Sequence, residues 1–473
     1  MSEPTWLSIL PPVLAIALAI ATRQVFVSLF MGIWLGCTIL AGGAPLTGLV
    51  DALDACVGVF GDAGNTKIII FSALVGALIA MAQASGGVSG FVNWVSEKKM
   101  VTTKRRAFLL SWFLGVIIFV ESSMTALVNG AVCRPIFDKM KISREKLAYL
   151  CDATSAPICI LIPLNAWGAY ITGLLEAEKI EAPVSLLMAS MPYNLYAIFA
   201  LLLSLYIAFW ARDFGPMAKA EARARDTGQL WREGATPMMS DELTRLEPPA
   251  DVPHRARNFL VPVGVMVLMM PVGLYVTGEG NLMKGSGSTS VFWAVLAGTF
   301  TGAALMIGQG IGTLRSTTDV FFKGVGGLMP LAVLMVLAFA IGGMMKDLQT
   351  GRYVAGLASA NLSPVVLPAL LFALACFIAF ATGTSWGTFA VMIPIAIPMS
   401  AVLPGSEALL VAAVLGGGIF GDHCSPISDT TIISSMAAGA DHIDHVNTQL
   451  PYALTAAAPA AVLYLVLGWF AAP

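Results

Sequence analysis

The chain reads as a succession of apolar runs separated by short polar breaks. About 20 apolar residues are needed to carry a helix across about 30 Å of hydrocarbon. By that ruler, apolar segments fall near residues 6–22, 25–41, 67–84, 107–120, 147–163, 192–211, 258–277, 289–308, 325–345, 364–381, 406–420 and 451–470. The runs are continuous, whereas a transmembrane barrel would show segments of about ten alternating residues. The expected fold is an all-α polytopic membrane protein. The stretch from Arg212 to Arg257 is the one long polar segment, with eight basic and eight acidic residues and with Pro248, Pro249 and Pro253 near its end. It divides the chain into a first membrane half (1–211), a polar linker (212–257) and a second membrane half (258–473). The opening MSEPTWLSILPP lacks the basic region of a cleaved signal, so Trp6 onward reads as a retained span.

Composition supports this class. Of 473 residues, 57% are hydrophobic and 11% charged, against about 25% charged in soluble domains. Mean hydropathy is +0.82. Net charge is −2, which leaves no basic face for nucleic acid. The lipid bilayer is the expected partner, and the cell (inner) membrane the expected location. The 46 Gly and 26 Pro suit membrane helices. Seven cysteines form no CxxC pair and read as buried thiols. No nucleophile–base set or complete metal cage stands out, so neither an enzyme, a resident cofactor nor a metal beyond sodium is expected.

Charge in the loops orients the spans. Residues 96–106 carry five basic residues against one acid and are expected inside. Residues 42–66 carry Asp51, Asp54 and Asp62 with no basic residue and are expected outside. Residues 138–146 carry four basic residues and are expected inside. Both ends of 107–135 are then cytoplasmic, which makes that segment a hairpin entering and leaving on one side. The same count returns the linker to the cytoplasm.

The halves resemble one another. Ser122-Ser123-Met124-Thr125 matches Ser385-Trp386-Gly387-Thr388, Arg134-Pro135 matches Ile397-Pro398, and Cys151-Asp152-Ala153-Thr154-Ser155-Ala156-Pro157 matches Gly421-Asp422-His423-Cys424-Ser425-Pro426. The outward loop 42–66 aligns with about 306–330, which carries Arg315 and Lys323 and is expected inside. Equivalent loops on opposite sides mean an inverted repeat, an architecture of secondary transporters with midplane sites.

The candidate chemistry lies in Gly/Pro-interrupted polar stretches between apolar spans. Lipid does not tolerate their open backbone, so they must line a cavity or pack against protein. Thr384, Ser385 and Thr388 place three hydroxyls beside Gly383 and Gly387, and Glu121, Ser122, Ser123 and Thr125 are their first-half counterpart. Hydroxyls of this kind also serve as ordinary interhelical partners. Asp422, Ser425, Asp429 and Thr430 surround Pro426, which opens the helix and frees carbonyls. An isolated charge at the bilayer centre costs at least about 2.5–3.5 kcal/mol, which a sodium ion or a proton on the carboxylate would offset. Asp152 is the first-half equivalent. Glu121 is either a proton carrier or a partner of Arg134. The run Asp441-His442-Ile443-Asp444-His445 reads as a polar turn ahead of a last span helped to start by Pro451, rather than as a zinc site.

Two mechanisms remain open. In one, sodium and protons compete for the carboxylates. In the other, a sodium- or proton-coupled carrier moves a small organic solute touched by Asn129, Asn165, Trp167, Trp386 and His423. Broken helices alone would also allow a channel.

GDHCSPISDTT at 421–431, GTSWGT at 383–388 and HVNTQLPYAL at 445–454 resemble the NhaC-type sodium/proton antiporter family, and SREKLAYLCDATSAPI at 143–158 resembles related members. The resemblance implies the ion transporter superfamily: inverted repeats, two re-entrant or broken-helix hairpins, elevator motion and homodimers. It places ligands at hairpin tips and helix breaks, here Ser122, Ser123, Thr125, Asp152, Thr384, Ser385, Thr388, Asp422, Ser425 and Asp429. Related members often carry paired acids or an Asp/Asn-rich run where this chain has Glu121-Ser122-Ser123-Met124. Some of them move organic acids or amino acids.

Overall fold

A computed structural model describes residues 5–22, 24–97, 103–119, 122–237, 252–282, 285–350, 353, 356–357, 363–426 and 428–471. Its described residues are helical, without a named strand. In the first half the helices are α1 (Leu10–Thr22), α2 (Val25–Leu40), α3 (Pro45–Gly58), α4 (Ala63–Ala84), α5 (Gly87–Glu97), α6 (Lys104–Ile117), α7 (Ser122–Lys139), α8 (Arg144–Ala153), α9 (Ala156–Leu161), α10 (Ala166–Ala177), α11 (Pro183–Ser190) and α12 (Leu195–Trp210). Helix α13 (Gly215–Thr227) follows, then α14 (Arg257–Thr277), α15 (Gly287–Gly308), α16 (Leu314–Gly327), α17 (Met329–Asp347), α18 (Leu367–Thr382), α19 (Ser385–Met399), α20 (Glu407–Cys424), α21 (Asp429–Ala438) and α22 (His442–Ala471). By length and composition, six helices among the described residues could cross a membrane, or seven if the pair Arg144–Leu161 and Ala166–Ala177, bent by 43°, counts as one span.

Local chemistry sets the boundaries. Ser143 caps α8 and Glu145 lies in its first turn, which favours the positive end of the helix dipole. Asn165 caps α10 by accepting from the backbone of Trp167 and Gly168. Thr384 caps α19, and Gly383 ends α18 in the left-handed region at φ 70°, where a side chain would be strained.

Three stretches differ from the pattern read along the chain. The run 147–163 is split at Thr154–Ser155 into α8 and α9. The loop 42–66 contains α3, whose amino end is held by Trp34 Nε1 donating to the Pro45 carbonyl at 2.9 Å. The last helix starts at His442 rather than near Pro451. Asp441 begins it by accepting from the Asp444 amide at 3.0 Å, so the Asp/His run forms a first helical turn.

Two helical hairpins, α6–α7 and α18–α19, carry the polar tips. The first packs against α8 and α21, the second against α20, with α10 beside α19. The apolar core joins α4, α10, α17 and α20. A second cluster gathers α6, α7 and α8 with residues of α21 and α22. Small residues permit the close crossings: a Cβ on Gly417 would sit 2.5 Å from the Phe372 carbonyl oxygen.

Candidate functional site

The second-half site forms where the α18–α19 tip meets the break between α20 and α21. Asp422, 1% exposed, is in the last turn of α20. Its Oδ2 accepts from Ser385 Oγ at 2.6 Å and its Oδ1 from Ser428 Oγ at 2.7 Å. Its main-chain oxygen accepts from Thr431 Oγ1 at 2.9 Å and Thr430 Oγ1 at 3.3 Å. Ser428 and Thr430 hydroxyls lie 3.1 Å apart. Ser425 Oγ donates back to the Phe380 carbonyl of α18 at 2.6 Å. Thus Asp422, Ser385, Ser425 and Thr430 come together, and Ser428 and Thr431 join them. Thr384 accepts from the Gly387 amide at 3.2 Å, and Thr388 donates to the Thr384 carbonyl at 2.8 Å. These two stiffen the tip. Asp429 begins α21, with its side chain outside the described residues.

The first-half tip is built on a parallel plan. Thr125 of α7 donates to the Ile118 carbonyl. Asn165 Nδ2 faces three carbonyls: Phe119 at 2.9 Å, Cys159 at 2.8 Å and Ile162 at 2.8 Å. Ser122 is buried in the first turn of α7. Glu121 lies outside the described residues, as does the side chain of Ser123. Asn129 is engaged within the hairpin, since Oδ1 accepts from Ser111 Oγ and Nδ2 donates to the Ser111 carbonyl, each at 2.9 Å. Its amide therefore ties α6 to α7.

Asp152, fully buried at the end of α8, has partners from the other half of the chain. Oδ2 accepts from Gln449 Nε2 at 2.6 Å and lies 3.4 Å from His445 Nε2. The same Gln449 amide donates to the His423 carbonyl, one residue beyond Asp422. His423 Nδ1 pairs with Tyr196 Oη at 2.7 Å, and its ring stacks on Tyr149. His445, Gln449 and Ser428 lie inside the stretches 445–454 and 421–431 but were not expected as site residues. For the first two, the i,i+4 spacing on the last helix was the available signal, because it puts both on one face.

Aromatic rings cover the α19 side of the second tip. Trp386 lies 4.8 Å from Trp167 and 4.7 Å from Tyr170 between centroids, and Tyr170 Oη donates to the Trp386 carbonyl at 2.9 Å. Among the described residues no group of three or more His, Cys, Asp or Glu side chains is placed to hold a metal ion. Hard oxygen donors, which suit an alkali cation, dominate around Asp422.

The profile of the Na+/H+ antiporter family matches residues 178–469. The chain is 34% identical to an uncharacterized protein of Haemophilus influenzae, over 99% of this chain and 92% of that one. It is 27% identical to the arginine/ornithine antiporter ArcD of Halobacterium salinarum, over 45% of this chain and 42% of that one. It is 38% identical to the malate-2H(+)/Na(+)-lactate antiporter of Bacillus subtilis, over 19% of each. The fold is similar to that of the YdaH transporter of Alcanivorax borkumensis, with a TM-score of 0.60 at 17% identity, covering 95% of this chain and 99% of that one.

Proposed function

The chain belongs to the Na+/H+ antiporter family, and from that premise we propose that it is a sodium-coupled antiporter whose cation site is centred on Asp422. The observation that carries this reading is a carboxylate with 1% exposure that receives one serine hydroxyl from a hairpin tip and another from a helix break. Sodium entering there takes the carboxylate and rotates the hydroxyls so that their lone pairs face it. A proton on Asp422 discharges the same oxygens. Either load lowers the penalty of moving a charge through low dielectric, and the empty carboxylate stays behind. Competition for one carboxylate is the coupling.

The proposal includes an inverted repeat in which both hairpins move with their own half's broken helix, as an elevator, in a homodimer of the cell membrane. The parallel bonding of the Phe119 and Phe380 carbonyls to the breaks of their own halves supports the pairing of hairpin and break. Purified protein in liposomes, with sodium imposed on one side and lumenal pH followed by a dye, tests it. Sodium should drive proton movement, and Asp422→Asn should abolish it while leaving the protein monodisperse. Full exchange by that variant overturns the reading.

A second reading rests on the aromatic wall. Trp386 is half-buried at the tip beside Trp167 and Tyr170, and two similar proteins carry organic solutes in their names. Under it, an amino acid or carboxylate is the exchanged cargo and sodium the driver. Uptake of a labelled panel with and without sodium separates the two.

A further inference from the structure

We propose that residues 213–237, part of the stretch expected from the sequence as a linker, are a clasp that holds α8 of the first half and the α21–α22 corner of the second half together as one body. The inference goes beyond the antiport reading and holds whatever the cargo is.

The argument begins with charge on α8. Glu145 and Lys146 stand in its first turn and are buried. Buried charge is costly unless it is paired, and adjacent residues on a helix do not face each other, so these two do not neutralise one another. Among the described residues, the ion-pair partner of each lies in the 213–237 stretch: Arg223 for Glu145 and Asp213 for Lys146. Arg223 Nη2 is 2.9 Å from one oxygen of Glu145 and 3.0 Å from the other. Backbone contacts reinforce the grip. Glu221 Oε1 accepts from the Ser143 amide at 2.9 Å and from the Ser143 hydroxyl at 2.7 Å, and the Leu230 carbonyl accepts from the Arg144 amide at 3.3 Å. If this stretch departs, α8 keeps two buried charges without their partners.

The same stretch grips the other half of the chain. Asp213 also accepts from Tyr452 Oη of α22 at 2.8 Å, so one carboxylate joins α8 to α22. The Phe214 ring packs on Tyr452 with centroids 4.3 Å apart. Trp231 donates to the Gly439 carbonyl, Arg232 pairs with Asp444, and Thr236 donates twice to Asp441. These three partners lie on the turn from α21 into α22. Arg144 of α8 bonds the Ala438 carbonyl across the seam between the halves, and the Trp231 ring covers that guanidinium at 5.0 Å from its centroid. The helices joined in this way flank the two breaks: α8 ends at Thr154–Ser155, and α21 begins just after Ser428.

The far end of the polar segment is held on other helices. Asn258 Nδ2 donates to the Ser85 carbonyl at 2.9 Å, and Gln309 Nε2 donates to Asn258 Oδ1 at 2.6 Å. Arg255 Nη1 donates to Gln309 Oε1 at 2.7 Å. These bonds fix residues 255–258 to the α4–α5 turn and to the end of α15. They supply a control for the clasp.

Hydrogen exchange of the purified full chain, without sodium or cargo, tests the clasp by whether loosening one end is felt at the other. Arg232→Ala removes the pair with Asp444 at the second-half end, and the readout is the Ser143 and Arg144 amides of the first half. Glu221→Ala loosens the first-half end, and the readout is the Thr236 amide, which Asp441 accepts. Each readout should quicken by about threefold or more, the effect of one partly exposed ion pair or hydrogen bond. Arg255→Ala should change neither. The swap of Arg232→Asp with Asp444→Arg should restore slow exchange at Ser143 and Arg144, and it keeps the test open where a single variant does not fold. Effects confined to the end that each variant touches, or a swap that restores nothing, overturn the clasp and leave two independent contacts. Neither result depends on whether the chain exchanges sodium for protons, which the liposome assay decides separately.

Discussion

Ser385 reaches Asp422 across 2.6 Å, so the tip of the second hairpin and the end of α20 share one hydrogen bond at a buried carboxylate. A hydroxyl bonded to a charged acceptor is worth about 1.5–3 kcal/mol. On the proposed antiport reading it would also supply a lone pair to a cation seated on the acid. Replacing Ser385 with Ala removes both. Half-saturating sodium should rise by about tenfold, equivalent to about 1.4 kcal/mol, with little change in the maximal rate. An unchanged sodium dependence would falsify a role for the tip in binding.

Hairpin packing should be sensitive at one glycine and indifferent at another. A Cβ on Gly115 of α6 would fall 1.8 Å from Thr154 Oγ1, at the α8–α9 break, whereas a Cβ on Gly58 would meet nothing within 4 Å. Thr154 is fully buried and its hydroxyl is committed to the Leu150 carbonyl at 2.7 Å. Overpacking of this kind costs about 1–3 kcal/mol. Thermal unfolding in detergent should show a clear drop for Gly115→Ala and none for Gly58→Ala.

The polar stretch after α12 is docked over its described part. Arg223 bonds both oxygens of Glu145, Trp231 Nε1 donates to the Gly439 carbonyl at 2.7 Å, and Arg232 pairs with Asp444. Asp441 accepts from both the amide and the hydroxyl of Thr236. Partial burial alone would raise this carboxyl, but the hydrogen bonds from Thr236 and from the Asp444 and Ile443 amides outweigh it and hold the group below its ordinary range. A depressed native value stabilises docking above the unfolded value, and that stability is lost as pH falls through the native one. Hydrogen exchange of residues 229–237 should therefore quicken on acidification. Asp441→Asn should show the quickened exchange already at neutral pH.

How far the sequence could be read depended on the range of the interactions. Ser-x-x-Thr at two hairpin tips and Asp422 beside Pro426 were legible because their chemistry is local: short spacing, broken helix, hydroxyls in an apolar run. The link between Asp152 and Gln449, 297 residues apart, was not legible, because only tertiary packing brings α8 and α22 together. Asn129 looked like a ligand for the same reason. An intramembrane amide has the same composition whether it meets a solute or, as here, Ser111 of the adjoining helix. The early start of α22 was obscured by charged residues in its first turn, where Asp441 and Asp444 favour a helix amino end.

Asn165 offers a test of the first hairpin that does not depend on what is transported. Its oxygen caps α10 through the Trp167 and Gly168 amides at 2.9 and 3.1 Å, while its two N–H groups are shared among the carbonyls of Phe119, Cys159 and Ile162. Asn165→Ala loses the cap and the donors together, and the buried carbonyls are left with the penalty of unmade hydrogen bonds. Asn165→Asp keeps the cap but turns a carboxylate toward three carbonyl oxygens, which repel it. Acidification puts a proton on that acid and restores one donor. Both variants should melt well below the parent at neutral pH. As pH falls, the gap should narrow for Asn165→Asp and persist for Asn165→Ala. Parallel pH profiles for the two would mean that the Phe119 carbonyl does not depend on this amide, and that the tip is held by packing alone.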